Sequence, residues 1–161
     1  MDPELVSKTA KHEAAHAVMR WLQGMEPTEL KLHATGGLSE ASGVPERAQD
    51  LLLVTLAGFA WESGCGLAGL NLAASHTVDF DQARELLRQF PNLRYRVEKR
   101  GGKVRFVFEH VDTALKRWFN KACDELLPHT EVIEVLGEAL EEKHVLSRFQ
   151  VAAIIRDNVE T

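Results

Sequence analysis

Cysteine is scarce in this chain: Cys65 and Cys123 are the only two among 161 residues. Their separation matches no metal-ligand spacing, and two thiols make no disulfide framework, so a reducing, cytoplasmic setting is expected, with both side chains acting as small buried hydrophobes. Long apolar runs are also missing. The longest, Leu51 to Trp61, falls short of the ~18 residues a bilayer span needs, and the charged amino end does not read as a signal peptide. There is no internal repeat, no low-complexity linker and no Gly-rich Walker loop, hence no recognisable nucleotide motor in these residues. Nor is there an excess of positive charge. A net charge of −5 argues against a general nucleic-acid binder.

What is present is an ordinary globular composition, 45% hydrophobic and 27% charged, on a length suited to one domain with a real core. Within it stands His12-Glu13-Ala14-Ala15-His16. A chain of this composition produces His-Glu-x-x-His by chance about 0.03 times. Pro3 suits a first helical position, Asp2 is placed to cap, and Gly24 follows the last periodic residue, so the motif falls in mid-helix. There the two imidazoles lie one turn apart on one face, close enough to share a metal ion. Glu13, rotated off that face, can reach a water at the metal and act as general base. Ala10, Ala14, Ala17 and Trp21, flanked by Val18 and Leu22, form the stripe expected to face a core, leaving the His12/His16 side for a cleft.

Residues 28–34 alternate as a half-buried strand, with His33 on its polar side, and a short second strand is expected at Leu38–Ala41. Pro45 opens a helix over 46–63 that is apolar on nearly every side and belongs at the centre of a domain. Glu62 closes it, a candidate for a metal or supporting role. After a Gly- and Ala-rich stretch, a helix begins near Asp79 and stops at Pro91. Asp79 or Thr77 could be only its N-cap, with Gln82 completing a capping-box-like pair; alternatively Asp79 is a third metal ligand. Residues 93–108 alternate apolar and basic around Gly101-Gly102, a hairpin signature whose polar face carries Arg94, Arg96, Lys103 and Arg105. Such a face is a solubilised edge or a docking surface for an acidic partner. Helices are expected over 111–127, 130–142 and from Ser147-Arg-Phe-Gln150, a capping box with Leu146 and Val151 as its staple, to Asp157.

The third ligand separates the zinc-peptidase classes. Met19 and Leu22 break the metzincin continuation, and a thermolysin-like site would recruit a helical Glu, for which Glu62 is the candidate. The chain resembles the peptidase domain of FtsH-type ATP-dependent zinc metalloproteases. Their His-Glu-Ala-Gly-His-Ala is matched by residues 12–17, their Ala-Gly-Arg-Ala-Ala-Glu helix is similar to Ala57–Glu62, and their Asn-Asp-Leu-x-x-Ala segment is similar to Val78–Ala83. The closing helices, through Ala139–Ser147, are similar too. Ala15 stands for the usual Gly and Val78 for the usual Asn; neither the hairpin nor an ATPase module has a counterpart in the match.

That resemblance implies a mostly α (α+β) fold: a helical zinc-peptidase domain over 1–161 with a small sheet and edge strand near the His-Glu-x-x-His helix and a hairpin insertion. Residues 1–90 would form the metal-site half, 91–110 the hairpin and 111–161 a helical scaffold. It further implies Zn²⁺ held by His12, His16 and Asp79, with Glu13 as base and Glu62 supporting from behind. His76 and Tyr95 are the candidates for stabilising an oxyanion. Expected substrates are peptides or unfolded polypeptides, fed by a separate ATPase if one exists. The competing expectation is a non-catalytic module that keeps the metal for folding or docking; a third is a peptidase dedicated to one acidic partner.

Overall fold

A computed structural model describes residues 3–33, 36–39, 47–63 and 78–159. Its first helix, α1 (Pro3–Leu22), begins on the proline and ends where Gly24 turns to φ +79°. There the Met25 N–H bonds the Arg20 carbonyl and the Gly24 N–H the Trp21 carbonyl, the Schellman closure that glycine permits. The strands β1 (Leu30–His33) and β2 (Gly36–Ser39) follow, then α2 (Ala48–Glu62) and α3 (Val78–Gln89). A short 3₁₀ turn, Pro91–Arg94, leads into a ribbon of β3 (Tyr95–Arg100) and β4 (Lys103–Phe108), and α4 (Val111–Leu126), α5 (Thr130–Lys143), β5 (Val145–Leu146) and α6 (Arg148–Val159) complete the chain. The fold is mostly α, with two small antiparallel sheets among the described residues, β2-β1-β5 and β3-β4. Among the described residues no helix is long and apolar enough to cross a membrane.

One hydrophobic cluster runs from Ala10 to Ile155. At its centre α1 packs on both α2 and α5, and α2 packs on α1, α3 and α4, as expected of a helix with no polar side. Small residues let these axes approach. A Cβ on Gly137 of α5 would come within 2.5 Å of the Lys11 side chain and 3.2 Å of its Cα. The α1 stripe is wider than alternation suggested. Every residue from 13 to 20 is buried, because α2 covers the histidine side that was expected to border an open cleft.

Other elements shift in detail. The second strand begins at Gly36 rather than Leu38 and is described to Ser39, and α2 starts at Ala48; Asp2, Glu40, Ala41, Pro45, Glu46, Cys65, His76 and Thr77 lie outside the described residues. Pro128 does not separate two helices by a loop. It sits in a 3₁₀ turn, Leu127–His129, that passes α4 straight into α5. At the end of α5, His144 adopts φ +63° and its carbonyl accepts from the Leu32 N–H, which brings the two-residue β5 alongside β1. The capping box is formed as read: the Ser147 N–H donates to Gln150 Oε1 at 2.9 Å and the Gln150 N–H to Ser147 Oγ at 3.2 Å, over a staple of buried Leu146 and Val151.

The ribbon closes through Gly101 and Gly102, both at positive φ, the two-residue turn that matches strand twist. Its root is clamped to α4. Buried Glu109 accepts from Arg117 Nε at 2.7 Å, Arg117 also donates to the Leu93 carbonyl, and Trp118 Nε1 donates to that same carbonyl at 2.8 Å.

Candidate metal centre

The chemistry-bearing side chains gather where α1, α2 and the start of α3 meet. On α1, one ligand atom each from His12, Glu13 and His16 lies within 4.8 Å of the others, a group that could hold a metal ion. Asp79 joins from α3. It stands inside the first turn, one residue after the helix begins, so it is not the N-cap. Its Oδ2 lies 3.0 Å from His12 Nε2 and 3.3 Å from His16 Nε2. A carboxylate there is also favoured by the positive end of the helix dipole.

The other face of each ring fixes its protonation. His12 Nδ1 is 3.0 Å from Glu62 Oε1, and His16 Nδ1 is hydrogen-bonded to the Val54 carbonyl. Both partners only accept, so both Nδ1 atoms carry the hydrogen, and in the neutral rings both Nε2 atoms present a lone pair. Two lone pairs and a carboxylate oxygen therefore converge with no proton among them when the rings are neutral. Something positive must sit between. In the protein free of metal that role falls to a proton. Burial opposes charging His12, but its hydrogen bonds to Asp79 and Glu62 outweigh burial and raise its pKa to about 9. Burial would likewise raise the Asp79 carboxyl, yet hydrogen bonds from His12 and His16 hold it well below the usual carboxylate range.

A metal ion meets the same need. Ligand atoms around a tetrahedral zinc at 2.0–2.1 Å stand about 3.3 Å apart, and the two Asp79 contacts fall at or near that spacing. Glu62 lies on the Nδ1 side of His12, away from Asp79. It occupies the position from which a carboxylate orients a ligand imidazole, not the third-ligand position.

Helices α1 and α2 run in opposite senses, so His12 meets residues 58 and 62 while His16 meets residue 54. The contacts repeat every fourth residue of α2, one stripe of its surface. Gly58 is the middle of that stripe, and a Cβ there would come 2.3 Å from His12 Nε2 and 2.4 Å from its Cε1. The bare backbone is what gives the ring room. Phe59 meets the His12 ring edge-on at 4.8 Å and stacks on Phe80 at 5.0 Å, and Phe80 leans on Phe119, so the imidazole ends a column of rings rooted in the core. Motif reading finds the side chains that carry donor atoms. It missed Val54, which contributes only a carbonyl, and the supporting part of Gly58, although the spacing 54-58-62 was visible.

Tyr95 lies on the ribbon with its ring against Phe108, apart from these contacts. His33 ends β1, opposite Gly36. Comparison with known proteins finds no family model and no curated protein that matches the chain.

Proposed function

We propose that the chain is a zinc-dependent endopeptidase of the FtsH-like kind, acting on flexible or unfolded polypeptides. The observation that carries this reading is that Asp79 Oδ2 lies within 3.3 Å of both His12 Nε2 and His16 Nε2, beside a glutamate on the same helical turn. His12, His16 and Asp79 would hold the ion. Zinc bound there supplies a Lewis acid that acidifies water and polarises a peptide carbonyl. Glu62 and the Val54 carbonyl, which hold the two Nδ1 atoms, would keep both Nε2 atoms free to bind the ion. Glu13 accepts the proton of the water that attacks the peptide carbon and delivers it to the departing amine nitrogen, so one water is consumed per bond cut.

Glu13→Gln is expected to retain stoichiometric zinc and lose casein-type peptide cleavage by about 10²–10⁴-fold. His12→Ala and Asp79→Ala should lose the zinc itself. Undiminished cleavage by Glu13→Gln would overturn the mechanism. Burial favours a second reading, a metal-containing module without turnover, since Glu13 and His16 are only 7% and 8% exposed. Zinc content measured beside hydrolysis of an unstructured substrate separates the two: full zinc with no hydrolysis is the signature of the module.

A further inference from the structure

The ribbon presents a face that nothing in the described structure covers. Pairing of Tyr95 with Phe108, Val97 with Phe106 and Lys99 with Val104 puts these six residues on one side, and its five apolar members are all at least half exposed, Phe106 by 67%. Alternation reads as a half-buried strand, yet here the apolar side is open. The rigid root described above holds it clear of the core.

Positive charge is carried on both sides of the ribbon. On the opposite face, Glu98 pairs with Arg96 at 2.7 Å and Arg105 at 3.2 Å, while Arg100 and Lys103 leave that side positive as well. On the apolar face the cations frame the strip. Lys99 stands at the tip end, and the Arg94 guanidinium lies 4.3 Å over the Phe108 ring at the root. Neither has a carboxylate within ion-pair distance among the described residues. Six Lys and Arg against Glu98 alone give residues 94–108 a formal charge of +5, which leaves −10 on the rest of a chain totalling −5.

We infer that this face docks a short acidic segment of another polypeptide, apolar side chains on the strip and carboxylates on Lys99 and Arg94. Exposed aromatics with arginine are the composition of protein-binding patches. The two cations are separated by about 13–16 Å of strand at ~3.3 Å per residue, so the matching segment carries its carboxylates four to five extended residues apart with apolar residues between. A bilayer or nucleic acid is an extended polyanion and would confront the −10 remainder as well as the ribbon. A second copy stacked face to face would oppose like charges.

The test measures binding, so it stands apart from the peptidase reading, and the full chain is used in a Glu13→Gln background to exclude turnover. The probe is fluorescein-labelled Asp-Glu-Phe-Thr-Leu-Glu-Asp, followed by anisotropy. Saturable binding is expected, weakening with salt and at least about tenfold poorer after Phe106→Thr or Lys99→Glu, substitutions at exposed positions whose melting temperatures should match the parent's. The inference is overturned by any of these: no saturable binding, equal binding of the same peptide with lysines for its acids, no effect of either substitution, tighter binding to phosphatidylserine vesicles or oligo-dT, or self-association that either substitution abolishes.

Discussion

At the scale of single residues, the two glycines at helix crossings separate stability from metal binding. Gly58→Ala drives a methyl into the His12 ring, whereas Gly137→Ala drives one into Lys11 on the far side of α1. Each overpacks an interface and is expected to cost about 1–3 kcal/mol. Only Gly58→Ala should also lower zinc stoichiometry, which metal analysis of the two purified variants will show. Titration of the metal-stripped protein gives a second check. His12 holds its proton more tightly folded than unfolded, so its stabilisation is whole below pH 6.5 and disappears as pH climbs through about 9. Asp79 acts in the opposite sense, stabilising above the ordinary carboxylate range and ceasing to do so as pH falls through its depressed pKa and the carboxylate is protonated. Melting temperatures of the stripped protein should therefore fall on the alkaline side of neutrality, while the zinc-loaded protein, with no proton on His12 Nε2, should not show that fall.

Among the elements, α6 offers the simplest test, because Ser147 and Gln150 satisfy each other's backbone N–H groups at its start. Ser147→Ala is expected to destabilise the protein by about 1 kcal/mol, read from denaturant melts, with zinc content unchanged. Elements with such local punctuation were legible in the sequence: α1 between Pro3 and Gly24, α3 ahead of Pro91, the hairpin around its two glycines. Those fixed by distant partners were not. Strand β5 has two residues and exists because His144 reverses the chain onto β1, a pairing no local window reveals. Alternation in the ribbon told which residues share a face. Whether anything covers that face is a tertiary matter, and so was the burial of the His12/His16 side beneath α2. For the site, residue type and spacing exposed His12, Glu13 and His16, and a family resemblance pointed to Asp79. The Val54 carbonyl belongs to the backbone and leaves no mark in residue identity.

Viewed as a whole molecule, the candidate centre ties together three helices whose contributing residues are 12, 62 and 79. Binding energy for an ion there is folding energy. With free zinc at a hundred times Kd, the folded state gains about 2.7 kcal/mol, or roughly 5–10 °C in Tm for a chain of this length. Chelation should remove that increment and stoichiometric zinc should restore it in a calorimetric scan. An unchanged Tm would mean that the three helices are held by the ring column and core alone.

The absent side chain at residue 58 also acts as a keyway between α1 and α2. Were the second helix to slip by one turn in either direction, the isopropyl group of residue 54 or the carboxylate arm of residue 62 would be jammed beneath the first imidazole, where the native fit leaves no space for even a methyl. Misaligned pairings of two strongly apolar helices are thereby penalised at a single point, and the alignment that survives is the one that assembles the polar cluster.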